Sequence, residues 1–452
     1  MLCILTVSLW LPTGVGSFTF LPASSTWQQH YLQNNNNHYK NYNGGRMQPD
    51  QNKTWDTAYE WKIILILSLT FGLVGLDRFI LPVLFPNMMV DLGLTIEDLG
   101  DLVGILAIFW GISAFAMGFL SDRIGRRKVL VPAVIIFSLM SAFSGMVSGL
   151  VGLLLIRAVM GLAEGPVAST GVAVAVEASH PKRRGMNNGI FQCMISLMGN
   201  AIGPIIATQL LLVTSWRNVY MLVGIPGFIM AVIMWFVVRE PATVTSVSTA
   251  PRPSFSSLFA HRNVVLAMLT LMCAMGGVFV LGAMMPNYLT GPLQMSVQDM
   301  GLLTAAIGFG GCIGQFAMPT VSDFVGRKLA TLVSYVLAAV FIYLFASAGA
   351  AGFTTLFVLL FFAALFNFSA LSVLAGPVAA EAAPIGMVAS VAGLVIGAGE
   401  VFGGGVAPII AGRIAGAYGL ENVFWFPIGS LIVGFVIALF LQETAPRKTG
   451  GL

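Results

Sequence analysis

Apolar stretches of about 20 residues, the length that carries a helix across roughly 30 Å of hydrocarbon, recur twelve times between residues 63 and 441. Inside a bilayer the backbone has no water to bond to, so each stretch must close its hydrogen bonds within itself, as a helix. The spans are predicted at about 63–88, 99–120, 129–149, 151–177, 187–212, 218–238, 263–289, 298–320, 329–350, 353–379, 385–411 and 422–441. The expected fold class is therefore all-α integral membrane, with twelve transmembrane helices. Composition agrees: 57% of the 452 residues are hydrophobic, 9% are charged and mean hydropathy is +0.89. No water-exposed globular surface carries that balance.

Lysine and arginine give the orientation, because loops on the cytoplasmic side collect them. With both termini inside, the loops after spans 2, 4, 6 and 8 and the tail hold fourteen of these residues, among them Arg123, Arg126, Arg127, Lys128, Arg183, Arg327 and Arg447. Only Arg217 and Arg413 fall on the outer side. The net charge of +4 thus reflects topology and a lipid bilayer partner, not nucleic acid. Cys3, Cys193, Cys273 and Cys312 have no metal-ligand or CxxC spacing, so neither metal, cofactor nor disulfide is expected.

The first residues differ from the rest. "MLCILTVSLW" lacks the basic flank of a signal peptide and is too short to span, and "LQNNNNHYKNYNGG" is polar. Residues 1–60 read as a disordered tail, with Met47 an alternative start and the sequon at Asn52 left on the cytoplasmic side. The remainder divides into a bundle at 61–238, a Pro/Ser/Thr-rich linker at 239–262, a second bundle at 263–441 and a tail at 442–452.

The two bundles repeat one another. "GFLSDRIGRRK" closes span 2 and "PTVSDFVGRK" closes span 8, with Asp122 and Asp323 201 residues apart (323 − 122). In this pattern Gly118 permits close helix approach, Asp122 accepts hydrogen bonds from an adjacent helix end, Gly125 permits a tight turn, and Arg123 and Arg126 sit at the anionic leaflet. Asp323, Gly326 and Arg327 are the second copy. The pattern resembles the signature loop of the major facilitator superfamily over about residues 60–445. That resemblance implies two six-helix bundles rocking about a central site by alternating access, in a monomer.

"LVGLDRFILPVLFP" places Asp77 and Arg78 inside span 1. A charge at membrane depth costs on the order of 3 kcal/mol, so it faces the interior and has a partner. Span 4, "RAVMGLAEGPVAST", supplies Arg157 and Glu164, seven residues and roughly 10 Å apart along the axis. Depth counting makes Asp77 with Arg157 the natural ion pair, leaving Arg78 free for the cavity or for Glu164. Two acids and two bases are more than helix clamping requires, although a fixed clamp between spans 1 and 4 is the alternative.

This site pattern is similar to the anion:cation symporters among the major facilitators, closest to the galactonate and sugar-acid type. The resemblance implies Arg78 as the binder of a substrate carboxylate, Asp77 and Glu164 as the proton-coupling acids, and Arg157 as the group that tunes them. One departure stands out: "GEVFGGGVAPIIAG" in span 11 puts Glu400 where that family commonly has an amide. Glu400 is read as a third proton site, a hydrogen-bond partner for substrate, or a neutral packing group. Gln192 and Asn367 are further pocket candidates, with Asn200, Ser369 and Ser372 behind them. The expected function is proton-coupled import of a small organic anion, a sugar acid or a hydroxylated or aromatic monocarboxylate, across a cytoplasmic or plasma membrane. A proton-driven exporter is the rival, on the strength of "GNAIGP" in span 5. No phosphate loop or nucleophile with an adjacent base suggests an enzyme.

Overall fold

The computed structural model describes residues 56–180, 183–240, 255–384 and 388–449. The expectations for the N-terminal tail, the sequon and most of the linker lie outside these residues. Twelve helices are long and apolar enough to cross a membrane, and no strand occurs among the described residues. In chain order they are α1 Thr57–Leu92, α2 Ile96–Ile124, α3 Arg126–Ser144, α4 Leu150–Ala178, α5 Arg184–Leu210 and α6 Trp216–Val237. The second half comprises α7 Arg262–Thr290, α8 Val297–Val325, α9 Arg327–Ala348, α10 Phe353–Ala382, α11 Ser390–Tyr418 and α12 Leu420–Ala438.

Helix ends depart from the expected spans where polar side chains find partners. Helix α1 starts six residues early because Asp56 caps it, accepting from the Tyr59 amide at 3.0 Å, and because Glu60 is fully buried. The Glu60 carboxylate accepts from Arg183 Nη2 at 2.6 Å and Asn187 Nδ2 at 2.8 Å, tying α1 to the start of α5. Two charged ends are thereby neutralised below the apolar belt, which hydropathy does not register.

The halves pack alike. Helix α2 lies on α4 and α3 on α6, just as α8 lies on α10 and α9 on α12. Between halves, α2 meets α11, α5 meets α8 and α1 meets α7. Helices α1 and α7 are the most enclosed, with 89% and 67% of their apolar windows buried, against 33% for α12. The Asp77–Arg78 pair therefore sits on the innermost helix of the molecule.

The two signature turns are near copies. Gly125 and Gly326 both have φ 106°, with ψ 153° and 145°, a region essentially reserved for glycine. Each turn starts a helix whose first amides are capped by a distant carboxylate. Glu240 accepts from the Arg126 and Arg127 amides at 2.8 and 3.1 Å, and Glu443 from the Arg327 and Lys328 amides at 2.7 and 3.2 Å. Arg126 donates to Ser121 Oγ and Glu177, both at 2.7 Å. Arg327 donates to Ser322 Oγ at 2.5 Å, Glu381 at 2.9 Å and Asp323. Arg123 is exposed, and the side chain of Asp122 lies outside the described set. Gly118 does not serve close approach: a Cβ there would meet Ser169 at an ordinary 3.6 Å.

At the opposite end, Arg413 of α11 reaches Glu97 at 2.6 Å and Asp101 at 2.8 Å on α2. Asn287 of α7 donates to the Pro82 carbonyl of α1 at 3.4 Å. That carbonyl is available because Pro86, four residues on, has no N–H to close on it. The halves are joined at this end.

Candidate functional site

The centre is built around α1. Arg78 is 3% exposed and its side chain crosses to the second half, where Nη2 meets Glu400 Oε2 of α11 at 2.6 Å. The Phe279 ring of α7 lies 4.1 Å from the guanidinium carbon and the Trp110 ring of α2 5.7 Å from it, and Phe79 stacks on Phe279 at 6.0 Å. Nε and Nη1 of Arg78 and Nε1 of Trp110 have no partner. A guanidinium beside two aromatic rings with Nε and Nη1 unused has the chemistry to take an anion.

Glycines make the approach possible. A Cβ on Gly165 would come within 2.6 Å of the Trp110 carbonyl, so the "GLAEG" run lets α4 press on α2 and brings Trp110 to the charges. Gly404 leaves room on α11 for the ion pair, since a Cβ there would stand 2.8 Å from Glu400 Oε2 of its own helix, 3.1 Å from the Phe279 ring and 3.2 Å from Arg78 Nη2. Glu400 lies in a π-helical stretch, Gly399–Val406, and α5 has its own at Leu197–Ile202. Such widened turns concentrate at functional sites.

The structure corrects the pairing expected for the other charges. Asp77 does not form a carboxylate pair with Arg157. Its Oδ1 accepts from Ser141 of α3 at 2.6 Å, while Arg157 donates to the Asp77 backbone carbonyl at 3.1 Å and to the Tyr220 hydroxyl of α6 at 2.9 Å. Depth along a helix follows from residue count, but the side of the helix an acid faces depends on its neighbours. Nor is Arg78 free or bonded to Glu164; Glu400 holds it. Glu164 is fully buried with neither carboxyl oxygen bonded.

Of the softer candidates, Asn367 is not a pocket group. In the amide orientation that satisfies both neighbours it donates to the Ala274 carbonyl and accepts from the Val278 amide, each at 3.1 Å, joining α10 to α7. Gln192 is half-buried on α5. Asn200 is the better amide: its Nδ2 is buried without a partner, and Asn200 and Phe79 both lie against Gly282. Ser141, Tyr220, Trp110 and Phe279 were not singled out by sequence, since nothing in an apolar helix distinguishes the hydroxyl or ring that meets a charge. Among the described residues no His, Cys, Asp and Glu group could hold a metal ion.

A family model of the major facilitator superfamily matches residues 67–281 and 267–451. The chain belongs to the major facilitator superfamily. Among curated relatives, it is 29% identical over 282 residues to a probable L-galactonate transporter of Escherichia coli (strain K12), covering 58% of this chain and 61% of that one. It is 28% identical over 277 residues to a hexuronate transporter of Bacillus subtilis (strain 168), covering 59% and 65%. The matched stretches thus span a little under two thirds of these two relatives. A probable 4-methylmuconolactone transporter of Cupriavidus pinatubonensis is 27% identical over 417 residues, covering 89% of this chain and 92% of the other. In fold, the chain is similar to a bacterial homolog of the human lysosomal transporter Spinster in an inward-facing and occupied conformation, with TM-score 0.66 and 18% identity over 85% of this chain and 97% of that one. As a major facilitator the chain is a multi-pass membrane protein, and the names of its relatives are those of transporters rather than enzymes.

Proposed function

We propose that this major facilitator is a proton-coupled symporter that imports a small organic anion, a sugar acid or an aromatic or hydroxylated monocarboxylate, by alternating access. The observation that carries this reading is the buried Arg78 guanidinium, placed between the two halves with Nε and Nη1 unpartnered. Its planar donors suit a carboxylate. The flanking Phe279, Trp110 and Phe79 rings offer flat apolar faces to a sugar or aromatic ring, and Trp110 Nε1 and Asn200 Nδ2 are unused donors for hydroxyls. Relatives named for galactonate and hexuronate support an acidic substrate.

In this reading Asp77 and Glu164 are the coupling acids. A fully buried carboxylate without a hydrogen bond goes uncompensated, so a proton is the economical way to neutralise Glu164. Arg157, held by the Asp77 carbonyl and Tyr220, orients α1 against α4 and α6. The basic loops lie in the cytoplasm with both termini, and the Arg413 clamp closes the outer face. The protein works as a monomer in a cytoplasmic membrane.

The test is linkage. Galactonate, glucuronate and 4-hydroxybenzoate are titrated into purified protein from about pH 5 to pH 8, where desolvated carboxylates titrate, and proton movement is followed in weak buffer. Tighter binding at low pH with proton uptake supports the symporter, because proton and anion then favour one another reciprocally. Proton release, with affinity rising toward high pH, overturns it in favour of an exporter.

A further inference from the structure

Arg78 and Glu400 meet across the boundary between the halves at 2.6 Å, with side chains only 2% and 6% exposed. A guanidinium offers a carboxylate two forked edges, Nε with Nη2 and Nη1 with Nη2. Nη2 belongs to both, with one N–H facing each, and Glu400 Oε2 takes one of them and closes that edge. A substrate carboxylate on the other edge would set a second anion against one guanidinium in a site closed to water, and that excess charge is relieved when Glu400 gives up both its place and its charge.

We propose that Glu400 is a built-in stand-in for the substrate carboxylate: it holds Arg78 in the empty carrier, and it takes up a proton when the anion displaces it. This rests on the reading of Arg78 as the anion anchor. The charges balance. Before the exchange the pair is one guanidinium and one carboxylate; afterwards it is one guanidinium, one substrate carboxylate and a neutral Glu400. The exchange itself thus takes up one proton per monocarboxylate, and the site gains no net charge. The same pairing serves the return step, because an empty site with a lone buried arginine would be costly to carry through the conformational change.

The surroundings suit a partner exchange. Glu400 stands at the start of the π-helical stretch of α11, against Gly404 and within reach of Gly111 of α2. The charged groups around it are accounted for. On α1, Asp77 is engaged by Ser141; on α4, Arg157 is held by the Asp77 carbonyl and Tyr220, and Glu164 has no bonded partner. Helices α2 and α7 present rings, Trp110 and Phe279, rather than charges. Asp77 and Glu164 are the rival acids for the proton taken up on binding, and the stand-in requires that both already hold their coupling protons when the anion enters.

Calorimetric titration of the full-length protein with 4-hydroxybenzoate and galactonate, in two buffers of different ionisation heat, decides between them. Wild type should take up one proton per anion, a readout that needs no variant, and lose about tenfold in affinity per pH unit at the alkaline end. Glu400→Gln should bind more tightly than wild type at pH ~8, with nearly flat pH dependence and no proton uptake, while Asp77→Asn and Glu164→Gln each keep the slope. Glu400→Asp, one methylene shorter but still acidic, should bind more tightly than wild type and keep the slope. A slope that survives in Glu400→Gln, or binding that Glu400→Gln abolishes, overturns the stand-in and leaves the Arg78 reading in place. If neither acid binds wild type at any pH, the Arg78 reading and the stand-in fall together.

Discussion

The signature turns at the basic end of the molecule exist in two matching copies, whereas the charged centre exists once. At the turns, Gly125 with Glu240, Ser121 and Glu177 is repeated by Gly326 with Glu443, Ser322 and Glu381. At the centre the first half supplies Asp77, Arg78, Arg157 and Glu164, and the second supplies Glu400 alone. The 201-residue offset that relates the turns carries Arg78 onto Phe279, the ring that covers its guanidinium. Both halves keep the π-helical stretch in their fifth helix, yet at an offset of 204 (408 − 204 for the shared proline) Glu400 corresponds to Ser196, which bonds Gln315 of α8. The two halves thus keep matching turns but not a matching centre, as the proposed function requires: a single small ligand cannot be gripped identically from both sides.

If the centre is unique, damage there has no second copy to mask it. Glu164→Gln should abolish uptake driven by a pH gradient while preserving substrate exchange between equal pools, measured in proteoliposomes. Loss of both, with the protein intact in the membrane, would return Glu164 to a helix-clamping role. Arg78→Lys keeps the charge but loses the fork, and should weaken binding of 4-hydroxybenzoate or galactonate by about 2 kcal/mol or more, roughly 30-fold. Near-normal affinity would assign Arg78 to structure.

The turns test the other side of the comparison. Gly125→Ala and Gly326→Ala each force a β-carbon into a backbone region that costs about 1–3 kcal/mol, and each β-carbon would crowd its capping carboxylate, at 2.6 Å from Glu240 and 2.5 Å from Glu443. The two variants should lower the apparent melting temperature by similar amounts; a large inequality would break the equivalence of the copies. Glu443 adds a pH signature. Partial burial disfavours its charge, but the amides of Ala445, Arg327, Lys328 and Thr444 outweigh that and hold its carboxyl below the usual 4.5. Its contribution is therefore present above pH 4.5 and lost as pH falls through the folded value. Melting followed between pH ~6 and ~3.5 should show this loss, and Glu443→Gln should flatten it. The smallest effect belongs to Arg413, which is 52% exposed. Arg413→Ala should cost about 1 kcal/mol or less, seen as a modest rise in labelling of an Asn287→Cys variant by a membrane-impermeant maleimide. No rise would remove the Arg413 pairs from the outer closure.

Much of the frame was legible in the sequence. All twelve spans, the paired signature turns and the four charges of α1 and α4 follow from composition and spacing. Part of what was missed had a signal: Glu240 and Glu443 lie 203 residues apart (443 − 240), and Glu177 and Glu381 lie 204 apart (381 − 177), close to the offset of the turns. Gly118 and Asn367 show the limit of motif reading, since the first makes only an ordinary contact and the second is consumed by the α7 backbone.

By itself the sequence determined that this chain crosses a membrane as helices, in two related halves, with charges that must be buried and matched. Those conclusions need only the cost of moving polar groups into hydrocarbon, a property of local composition. It did not determine which charges match. Asp77 turned to Ser141, Arg157 to a carbonyl and a tyrosine, and Arg78 to a glutamate 322 residues away. Those choices depend on the rotation of each helix about its axis and on how closely glycines let α2, α4 and α11 approach, and both are set only when the two halves pack together.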